Sequence, residues 1–357
     1  MKIEGNYCQL EIGSILDGGF QSYLKTFENQ QILIVVDENT HDYCLEYLIT
    51  SFPELERAEI ILLPNGEENK VMEVCFQVWQ AFTEYKVGRK DLVINLGGGV
   101  VTDMGGFIAS IYKRGLTFIH VPTTLLGMVD AAIGGKNGID MDGFKNQLGT
   151  ITQPACVFID AGFLSTLPAE EIFNGYAEML KHALIGDVEL WEQIRHIHSE
   201  EELIQPDVIL KAIQVKTNII EQDPLEGGLR KKLNFGHTVG HALESHFFQS
   251  TPISHGHAVA LGMIAESFMS MRRELLSKEA YKEIEQTIIR SFPMIELNAD
   301  DVSTVISLMY QDKKNEAKQI RSCLLQGIGN CLFDQHLTDS EIGESLFHLT
   351  LLYSRKD

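Results

Sequence analysis

The stretch Asp91-Leu-Val-Ile-Asn-Leu-Gly-Gly-Gly-Val-Val-Thr-Asp-Met-Gly-Gly106 decides the fold class of this chain. Its first six residues are a short apolar run typical of a strand, and the glycines that follow open a helical pattern. Glycines at such a turn allow a close approach to a pyrophosphate, whose charge the amides at the helix start can hold. The spacing differs from G-x-G-x-x-G, so a nucleotide site and a plain tight turn both remain open.

Other short apolar runs surround this stretch. They cover residues 32–37, 59–64, 116–121 and 155–160, and apolar residues at helical spacing lie at 69–85. Short, fully apolar strands separated by helices predict a parallel sheet that is covered on both faces. The N-terminal half is therefore predicted to be a Rossmann-like α/β domain. Asp37 ends one of the runs, where a carboxylate can accept hydrogen bonds from ribose hydroxyls, and this favours the nucleotide site.

The sequence after Leu167-Pro168 is dominated by long amphipathic patterns. These cover residues 169–186, 187–198, 206–222, 233–248, 255–275, 277–291, 299–310 and 338–354, and one strand-like run covers 321–325. We therefore predict two domains, an α/β domain over residues 1–167 and a mainly α-helical domain over residues 168–357.

The composition is that of a globular protein with a strongly acidic charge. Hydrophobic residues make up 44% of 357 residues, and 29 Lys and Arg against 50 Asp and Glu give a net charge of −21. This charge argues against binding to nucleic acid or to an anionic membrane, and no apolar run approaches the ~18–20 residues that span a bilayer. Six scattered cysteines without a C-x-x-C pair indicate reduced thiols. We expect a cytoplasmic protein.

Four of the twelve histidines fall within twenty-one residues, namely His237, His241, His255 and His257. His237 and His241 are four residues apart and share one face of a predicted helix. Glu178 and Lys181 lie one turn apart on another predicted helix. One Glu and two His from facing helices would give three ligands and an open position, which is the arrangement of catalytic zinc. His257 could compete for a ligand role, and for any single histidine an ordinary polar helix position is the plainer explanation.

Basic residues gather near the glycine-rich and histidine-rich stretches, although the chain is acidic. The set comprises Arg114, Lys136, Lys145, Lys181, Lys216, Arg230 and the pair Lys313-Lys314. A positive cleft in a negative protein suits a small polyanionic substrate such as a sugar phosphate or a phosphorylated acid. Any one of these lysines could instead serve surface solubility.

Short segments between about Asp37 and Gly329 carry a resemblance to a known family. In the first half they are Gly66-Glu-Glu-Asn-Lys70, Gly97-Gly-Gly-Val-Val101 with Asp103, Lys113-Arg-Gly115, Val121-Pro-Thr-Thr-Leu-Leu126, Val129-Asp130, Gly134-Gly-Lys136 and Lys145-Asn146. In the second half they are Thr166-Leu-Pro168, Gly175-Tyr-Ala-Glu178-Met-Leu-Lys181, Glu226-Gly-Gly-Leu-Arg230, Leu233-Asn-Phe-Gly-His-Thr-Val-Gly-His241, His255-Gly256 and Asp312-Lys-Lys314. With this ordered set, the chain resembles the 3-dehydroquinate synthase family of sugar phosphate cyclases.

The resemblance implies an N-terminal NAD-binding domain, a helical metal-binding domain and a site in the cleft between them. Around the NAD it implies Asp37, Asn39, Gly66, Glu67, Lys70, Gly98, Gly99, Val100, Asp103, Thr123, Thr124, Lys136, Lys145, Phe163, Thr166 and Leu167. As ligands of Zn²⁺ or Co²⁺ it implies Glu178, His237 and His255. For the carboxylate, phosphate and hydroxyls of the substrate it implies Asp130, Lys136, Asn146, Lys181, Lys216, Arg230, Asn234, His241 and Lys314. In the family an arginine at the Arg114 position reaches the partner subunit's site, which implies a homodimer.

The reaction implied by the resemblance converts 3-deoxy-D-arabino-heptulosonate 7-phosphate into 3-dehydroquinate and phosphate, within the shikimate pathway. It combines a transient oxidation by NAD⁺, a β-elimination of phosphate, a reduction, a ring opening and an intramolecular aldol reaction. NAD is regenerated in each turnover. We assign the proton shuttle to His241, with the substrate phosphate as the alternative base.

Three residues depart from the usual family pattern. Thr102 stands where glycine is usual, and its hydroxyl should fit only if the backbone keeps ordinary angles. Asn137 stands where a small residue or Thr is commoner. His257 stands where the family has Glu after His-Gly, so an imidazole replaces a carboxylate next to the metal ligands, and we expect the metal affinity to respond.

Three other functions compete with this interpretation. Related cyclases act on sedoheptulose 7-phosphate or glucose 6-phosphate, but Asn234 and His241 both match the dehydroquinate synthase pattern. A glycerol-type dehydrogenase that uses a metal and NAD would not need so many anion-binding lysines, and it would accumulate NADH. A non-catalytic nucleotide-binding protein would have lost a metal ligand, whereas all three candidates are present.

Overall fold

The computed structural model describes residues 1–7, 9–141, 144–197, 199–248, 250–311 and 319–354. The chain forms two compact units, Met1–Ile172 with Ile204–Ile213 and Phe173–Leu203 with Gln214–Asp357. None of the helices in the described ranges has the length and the apolar character needed to cross a membrane. The boundary that the sequence predicts after residue 167 stays a prediction.

The first unit is built on a seven-stranded sheet. The strands of this unit are β1 (Lys2–Glu4), β2 (Gln9–Ile12), β3 (Ile32–Asp37), β4 (Glu59–Leu63), β5 (Leu92–Gly97), β6 (Thr117–Pro122), β7 (Lys136–Met141), β8 (Phe144–Ile151) and β9 (Val157–Ile159). Its helices are α1 (Gly19–Lys25), α2 (Glu38–Thr40), α3 (Glu46–Ser51), α4 (Met72–Glu84) and α5 (Gly99–Ile111). The sheet has the order β1-β2-β9-β6-β5-β3-β4, and β7 pairs with β8 in a separate antiparallel hairpin.

Every neighbouring pair in the large sheet is parallel except β1 with β2. All six residues of β5 are buried, and successive side chains of a strand point to opposite faces, so both faces of the sheet are covered at β5. The predicted Rossmann-like fold is confirmed. The short strands β1 and β2 and the hairpin lie outside the apolar runs that the sequence analysis used.

The carboxyl ends of β3, β5 and β6 lie side by side, because the three strands are adjacent and parallel. Asp37 ends β3, Gly98 follows β5 and Thr123 follows β6, so the three residues share one edge of the sheet. The Thr123 amide donates to the Gly97 carbonyl over 3.1 Å, so the end of β6 is joined to the end of β5 at this edge. In open α/β sheets, ligands bind outside the carboxyl ends of the strands, at this kind of position.

Thr102 lies inside α5 and has helical backbone angles, which is the condition under which its hydroxyl was expected to fit. The hydroxyl donates to the carbonyls of Gly98 (3.2 Å) and Gly99 (3.1 Å). A threonine hydroxyl in a helix can bond to the preceding turn in this way, so the side chain needs no other partner.

Asn137 fills space that a glycine leaves open. Its amide nitrogen donates to the carbonyls of Gly135 (3.0 Å) and Thr152 (2.9 Å), and the side chain is buried. A Cβ placed on Gly106, in α5, would lie 1.9 Å from the Asn137 Oδ1. The larger residue at 137 is therefore accommodated because residue 106 has no side chain.

The C-terminal half of the chain is mainly helical, as predicted. Its helices are α6 (Ala169–Gly186), α7 (Val188–Ile194), α8 (Glu200–Leu203), α9 (Pro206–Gln222), α10 (His237–Phe247), α11 (His255–Arg272), α12 (Lys278–Ser291), α13 (Ala299–Gln311) and α14 (Asp339–Tyr353). The predicted strand β10 (Arg321–Leu325) pairs antiparallel with β11 (Cys331–His336), which the sequence analysis did not predict. The five cysteines in the described ranges are free thiols, as predicted.

His120, on β6, makes the stability of the first unit depend on pH. The Asn95 amide donates to the His120 Nδ1 over 3.2 Å, and burial lowers the pKa of His120 from 6.5 to about 3. Between these two pH values the unfolded chain binds one more proton than the folded chain. The contribution of His120 to the free energy of unfolding is therefore fully present above pH 6.5. It falls by about 1.4 kcal/mol for each pH unit below 6.5.

We predict that His120→Gln, which keeps an acceptor opposite Asn95, flattens this dependence. Urea unfolding at pH 4.5, 5.5 and 6.5 measures the slope of the unfolding free energy with pH. His41→Gln is the control, because 49% of the His41 side chain is exposed, and it should keep the wild-type slope. Equal slopes for the wild type and His120→Gln would contradict the prediction.

Candidate active site

A carboxylate and two imidazoles converge from three helices of the second unit. Glu178 lies on α6, His237 is the first residue of α10, and His255 is the first residue of α11. The Glu178 Oε1 lies 3.5 Å from the Nε2 of His237 and 3.5 Å from the Nε2 of His255. One ligand atom from each residue lies within 4.8 Å of the other two. The three residues that the sequence singled out as ligands are thus brought together.

The spacing of these atoms fits a divalent metal ion. A tetrahedral ion with ligands at about 2.0–2.1 Å separates neighbouring ligand atoms by roughly 3.4 Å. The two distances of 3.5 Å from the carboxylate oxygen agree with this value. One carboxylate and two imidazole nitrogens also form a donor set of catalytic zinc sites, which keep a position open for water or substrate. The residues present therefore fit Zn²⁺ or Co²⁺.

Hydrogen bonds on the far side of the rings orient the two histidines. The Nδ1 of His237 donates to the Phe235 carbonyl over 3.1 Å, which leaves the lone pair on Nε2. The Nδ1 of His255 faces the buried carboxylate of Glu244 at 3.5 Å. Burial favours the neutral ring, but Glu178 and Glu244 outweigh it and raise the pKa of His255 to about 10. The site thus stabilises a positive charge at the point where a cation would bind.

The two histidine-bearing helices can meet only because glycines face each other between them. A Cβ on Gly262 would lie 1.9 Å from the Gly236 carbonyl oxygen, and one on Gly240 would lie 2.9 Å from the Ala258 carbonyl oxygen. Gly236 also has a φ of 79°, in the left-handed region that glycine adopts without strain. The glycines of the segment Asn234–His241 therefore set the distance between His237 and His255.

Lys181 and His241 lie beside the three candidate ligands. The Lys181 ammonium pairs with the Oε2 of Glu178, and both side chains are buried. The His241 ring is centred 5.0 Å from the His237 ring and 5.8 Å from the His255 ring. A cation and a base that can carry a proton are thus next to the place where an alcohol would bind a metal.

A short loop before α10 carries two further candidates. Arg230 is buried, and its guanidinium donates to the Pro224 carbonyl over 2.7 Å. The Asn234 amide donates to the Glu226 carboxylate over 2.8 Å. Lys216, on α9, is also buried. Buried cations of this kind suit the binding of an anionic substrate group.

Asp223 holds this loop, and the sequence analysis did not find it. Its carboxylate accepts the backbone amides of Gly227 (2.9 Å), Gly228 (2.7 Å) and Arg230 (2.9 Å). Burial alone would raise its pKa, but these three hydrogen bonds and the Arg230 charge hold the pKa below its usual value. An Asp-Pro pair before Gly-Gly is a turn signal that could have pointed to this residue.

In the first unit, several residues predicted to bind the dinucleotide surround Cys44. The Asp37 carboxylate caps α2 by accepting the Thr40 amide over 2.8 Å. Burial and the Asp37 charge raise the pKa of Cys44 to about 11, while hydrogen bonds with Thr123 and Thr166 oppose this rise. Side chains at the end of β3 and after β6 and β9 thus all act on the pKa of one buried thiol.

A second group of these residues is joined by Lys70. Its buried ammonium donates to Asp103 on α5 (2.6 Å) and to Asn146 on β8 (2.9 Å). Burial favours the neutral amine, but the Asp103 carboxylate outweighs it and raises the pKa of Lys70. Lys145, next to Asn146, pairs with Glu67 over 3.0 Å. The ion pairs bring the turn at 66–70, the start of α5 and the hairpin into one cluster.

The other predicted site residues of the first unit lie at turns and element ends. Gly98 and Gly99 begin α5, and a Cβ on Gly98 would lie 3.0 Å from the Thr124 Cγ2. Asp130 lies in a π-helical turn, and Lys136 is the exposed first residue of β7. The positions of the remaining residues are Asn39 in α2, Gly66 before a 3₁₀ turn, Val100 in α5, Phe163 and Thr166 in a 3₁₀ turn, and Leu167 directly after it.

Two predicted substrate-binding residues, Arg114 and Lys314, are not among the residues described so far. Arg114 is exposed and has a φ of 68°, a left-handed conformation that is uncommon for a residue with a side chain. Lys314 and its neighbours Asp312 and Lys313 lie outside the described residues.

His257 does not join the ligand cluster, so the alternative ligand role for it is wrong. Its Nε2 donates to the Pro293 carbonyl over 2.6 Å, and its ring stacks on Phe292 at a centroid distance of 6.2 Å. The carboxylate that faces His255 is supplied by Glu244, eleven residues earlier in the chain. Glu244 lies one turn after His241 and two turns after His237, a spacing that could have identified it.

Comparisons with known proteins show the family of this chain. A family model described as the 3-dehydroquinate synthase N-terminal region matches residues 60–174, and one described as the C-terminal region matches residues 175–315. The chain belongs to the 3-dehydroquinate synthase family. A curated 3-dehydroquinate synthase from Parabacteroides distasonis is 39% identical over 334 residues, which are 93% of this chain and 94% of that relative. The family predicted from the sequence is thus confirmed.

Solved structures of related cyclases share the whole fold of this family member. The 2-epi-5-epi-valiolone synthase from Streptomyces hygroscopicus subsp. jinggangensis, with NAD⁺ and Zn²⁺ bound, is similar with a TM-score of 0.85 and 27% identity, over 100% of this chain and 98% of that chain. A 2-deoxy-scyllo-inosose synthase complexed with carbaglucose-6-phosphate, NAD⁺ and Co²⁺ has a TM-score of 0.84 at 23% identity, over 96% and 98% of the two chains.

We predict that Glu178→Ala, His237→Ala and His255→Ala each weaken zinc binding by at least about 100-fold, because each removes one of three protein ligands. The dissociation constant is measured by competition with a chelator, and the bound zinc by metal analysis. His257→Ala is the matched control, since its ring is bonded to Pro293. Retention of stoichiometric zinc by the three variants would overturn the ligand assignment.

Proposed function

We propose that this protein is a 3-dehydroquinate synthase, which converts 3-deoxy-D-arabino-heptulosonate 7-phosphate into 3-dehydroquinate and phosphate. The convergence of Glu178, His237 and His255, with Lys181 and His241 beside them, is the observation that carries the proposal. The identity to a curated 3-dehydroquinate synthase over 93% of the chain supports the same reaction. The enzyme would act as a phosphate-eliminating lyase of the shikimate pathway.

The proposed cofactors are NAD⁺ and Zn²⁺ or Co²⁺, as in the related cyclases. When bound, NAD⁺ exchanges a hydride with a secondary alcohol of the substrate, and the metal polarises the oxygen of that alcohol. The glycine turn before α5 and Asp37 would bind the dinucleotide, with Lys70 and Asp103 holding its surroundings rigid. Glu178, His237 and His255 would hold the metal.

The remaining residues would bind and orient the substrate. We assign Lys181, Lys216, Arg230, Lys136 and Lys314 to its negative groups, because cations bind phosphate and carboxylate. Asp130, Asn146 and Asn234 would bind its hydroxyls and carboxylate. Holding one geometry through all steps contributes much of the rate acceleration.

His241 would act as the base that removes a proton from the substrate carbon next to the new ketone. Oxidation makes the C–H bond next to the new ketone acidic, so phosphate leaves by β-elimination when a base takes that proton. The ketone is then reduced again, the ring opens, and an intramolecular aldol reaction closes the carbocycle. The His241 ring packs against the rings of His237 and His255, so a substrate held at the proposed metal would lie within its reach. The substrate phosphate is the alternative base.

Two other activities are separated from this proposal by one assay. Phosphate release from the heptulosonate phosphate is measured with a trace of NAD⁺ while NADH absorbance is followed. Chelator-sensitive release without a build-up of NADH is expected. No release by folded, metal-loaded protein would favour a cyclase for another sugar phosphate. Steady NADH production with an alcohol would favour a dehydrogenase.

We also propose that the enzyme works as a cytoplasmic homodimer. The acidic composition and the scattered free thiols support the compartment. The exposed position of Arg114 supports a role at the partner subunit's site.

Arg114 generates a test of the dimer. Arg114→Ala should raise KM about tenfold or more, because a charge-assisted contact to the substrate is lost, and Lys181→Ala should be almost inactive. At substrate concentrations well below KM, a 1:1 mixture that is dissociated and reassociated should recover about a quarter of the wild-type activity, since half the dimers would then carry one complete site. Mixing each variant with itself is the control. If no activity is recovered, Arg114 either acts in the active site of its own subunit or takes no part in substrate binding and catalysis.

A further inference from the structure

Glu266 is a fully buried carboxylate that has no part in the functions assigned so far. It lies in α11, three turns after His255. Its Oε2 accepts the backbone amide of Gly236 over 2.8 Å, and its Oε1 accepts the amide of Val239 over 3.3 Å. These two amides flank His237 in the chain, so the carboxylate holds the backbone on both sides of a candidate ligand.

The start of α10 needs such a partner. The first amides of a helix have no acceptor within the helix, and the residue before α10 is Gly236, which has no side chain to supply one. These amides also form the positive end of the helix dipole. A dication bound by His237, the first residue of α10, would lie near that positive end. A buried negative charge at the same turn offsets this repulsion.

Asn174 helps to hold the start of α11. Its Oδ1 accepts the amide of Gly256, the residue after His255, and it lies on α6 one turn before Glu178. The N-cap Ser254 accepts the next amide, that of His257, over 3.3 Å. Each helix that begins with a candidate ligand histidine therefore has an early amide bound by a side chain from another ligand-bearing helix. A shift of one of these helices moves the cap of the next, so the three ligands are positioned together.

We propose that Glu266 is a positioning residue, which fixes the first turn of α10 and thereby raises the affinity of the site for its divalent metal. The proposal rests on the metal centre proposed above. Among the described residues, Glu266 is not in the group of side chains whose ligand atoms converge with those of His237 and His255. It acts through the backbone of Gly236 and Val239 and through its charge.

The test is the zinc affinity of Glu266→Gln, measured on metal-free protein by competition with a chelator. Glutamine keeps the size of the side chain, but it removes the charge and turns an NH₂ group toward one of the two amides. We expect the dissociation constant for zinc to rise at least about tenfold, in the range found for groups that orient metal ligands. The affinity for NAD⁺, measured separately, should not change.

Ser277→Ala is the control for a purely structural effect. The Ser277 hydroxyl accepts the Ala280 amide over 3.1 Å and caps α12, so its loss weakens a helix start in the same unit. It should lower the melting temperature and leave the zinc affinity unchanged. Glu266→Asp distinguishes the effect of the negative charge from the effect of side-chain length, because it keeps the charge on a side chain that is one methylene shorter. An intermediate zinc affinity is expected for it.

The outcomes separate this inference from the metal centre on which it rests. Loss of zinc by Glu178→Ala together with wild-type zinc affinity in Glu266→Gln would overturn the role of Glu266 alone. Retention of zinc by Glu178→Ala would overturn both.

If the Glu266 variants do not fold, hydrogen exchange of the wild-type protein decides. Zinc should slow the exchange of the Gly236 and Val239 amides at least about tenfold, and it should leave the Ala280 amide unchanged. No effect of zinc on the first two amides would overturn the proposal.

Discussion

The close approach of α10 to α11 is the constraint on which the candidate metal site depends. The two helices bring His237 and His255 to one carboxylate oxygen because Gly236, Gly240 and Gly262 place backbone against backbone. A Cβ added at Gly236, Gly240 or Gly262 would lie 2.6, 2.9 or 1.9 Å from its nearest neighbouring atom, so a side chain there would require neighbouring atoms to shift. The glycines next to the histidines therefore matter for metal binding because they determine the distance between the two candidate ligand rings.

Buried cations of the candidate sites already have partners inside the protein. Lys181 pairs with Glu178, Lys70 pairs with Asp103, and Arg230 donates to the Pro224 carbonyl. A buried cation without a partner would destabilise the fold. These partners compensate for the burial of the cations, so an acidic chain can hold positive groups in its interior.

The sequence predicts the features that arise from repeated or clustered residues. The run at β3 has five consecutive apolar residues and the run at β5 is broken only by Asn95, so the parallel sheet could be predicted, whereas β1, β2 and the β7–β8 hairpin mix polar residues and glycine with apolar ones. The clustering of four histidines within twenty-one residues predicts a metal site in the helical domain, whereas the choice of Glu178, His237 and His255 came from the family resemblance and stays a prediction.

Glu266, which acts through the backbone, could not be predicted in this way. It looks like an ordinary polar position of a helix, and its role depends on which helix packs against it. His257 illustrates the opposite error. Its neighbourhood in the chain suggested a ligand, but its rotation around α11 directs the ring to Pro293. The position of a residue along a helix determines the direction in which its side chain points. Which residues that side chain contacts depends on how the helices pack.

The close approach of Gly106 to Asn137 couples these two positions. The Asn137 amide donates to two carbonyls, so a methyl group at residue 106 would have to displace a side chain that is held by hydrogen bonds. A small residue at 137 removes the obstacle. Alanine at residue 106 should therefore cost less stability beside a small residue at 137 than beside asparagine.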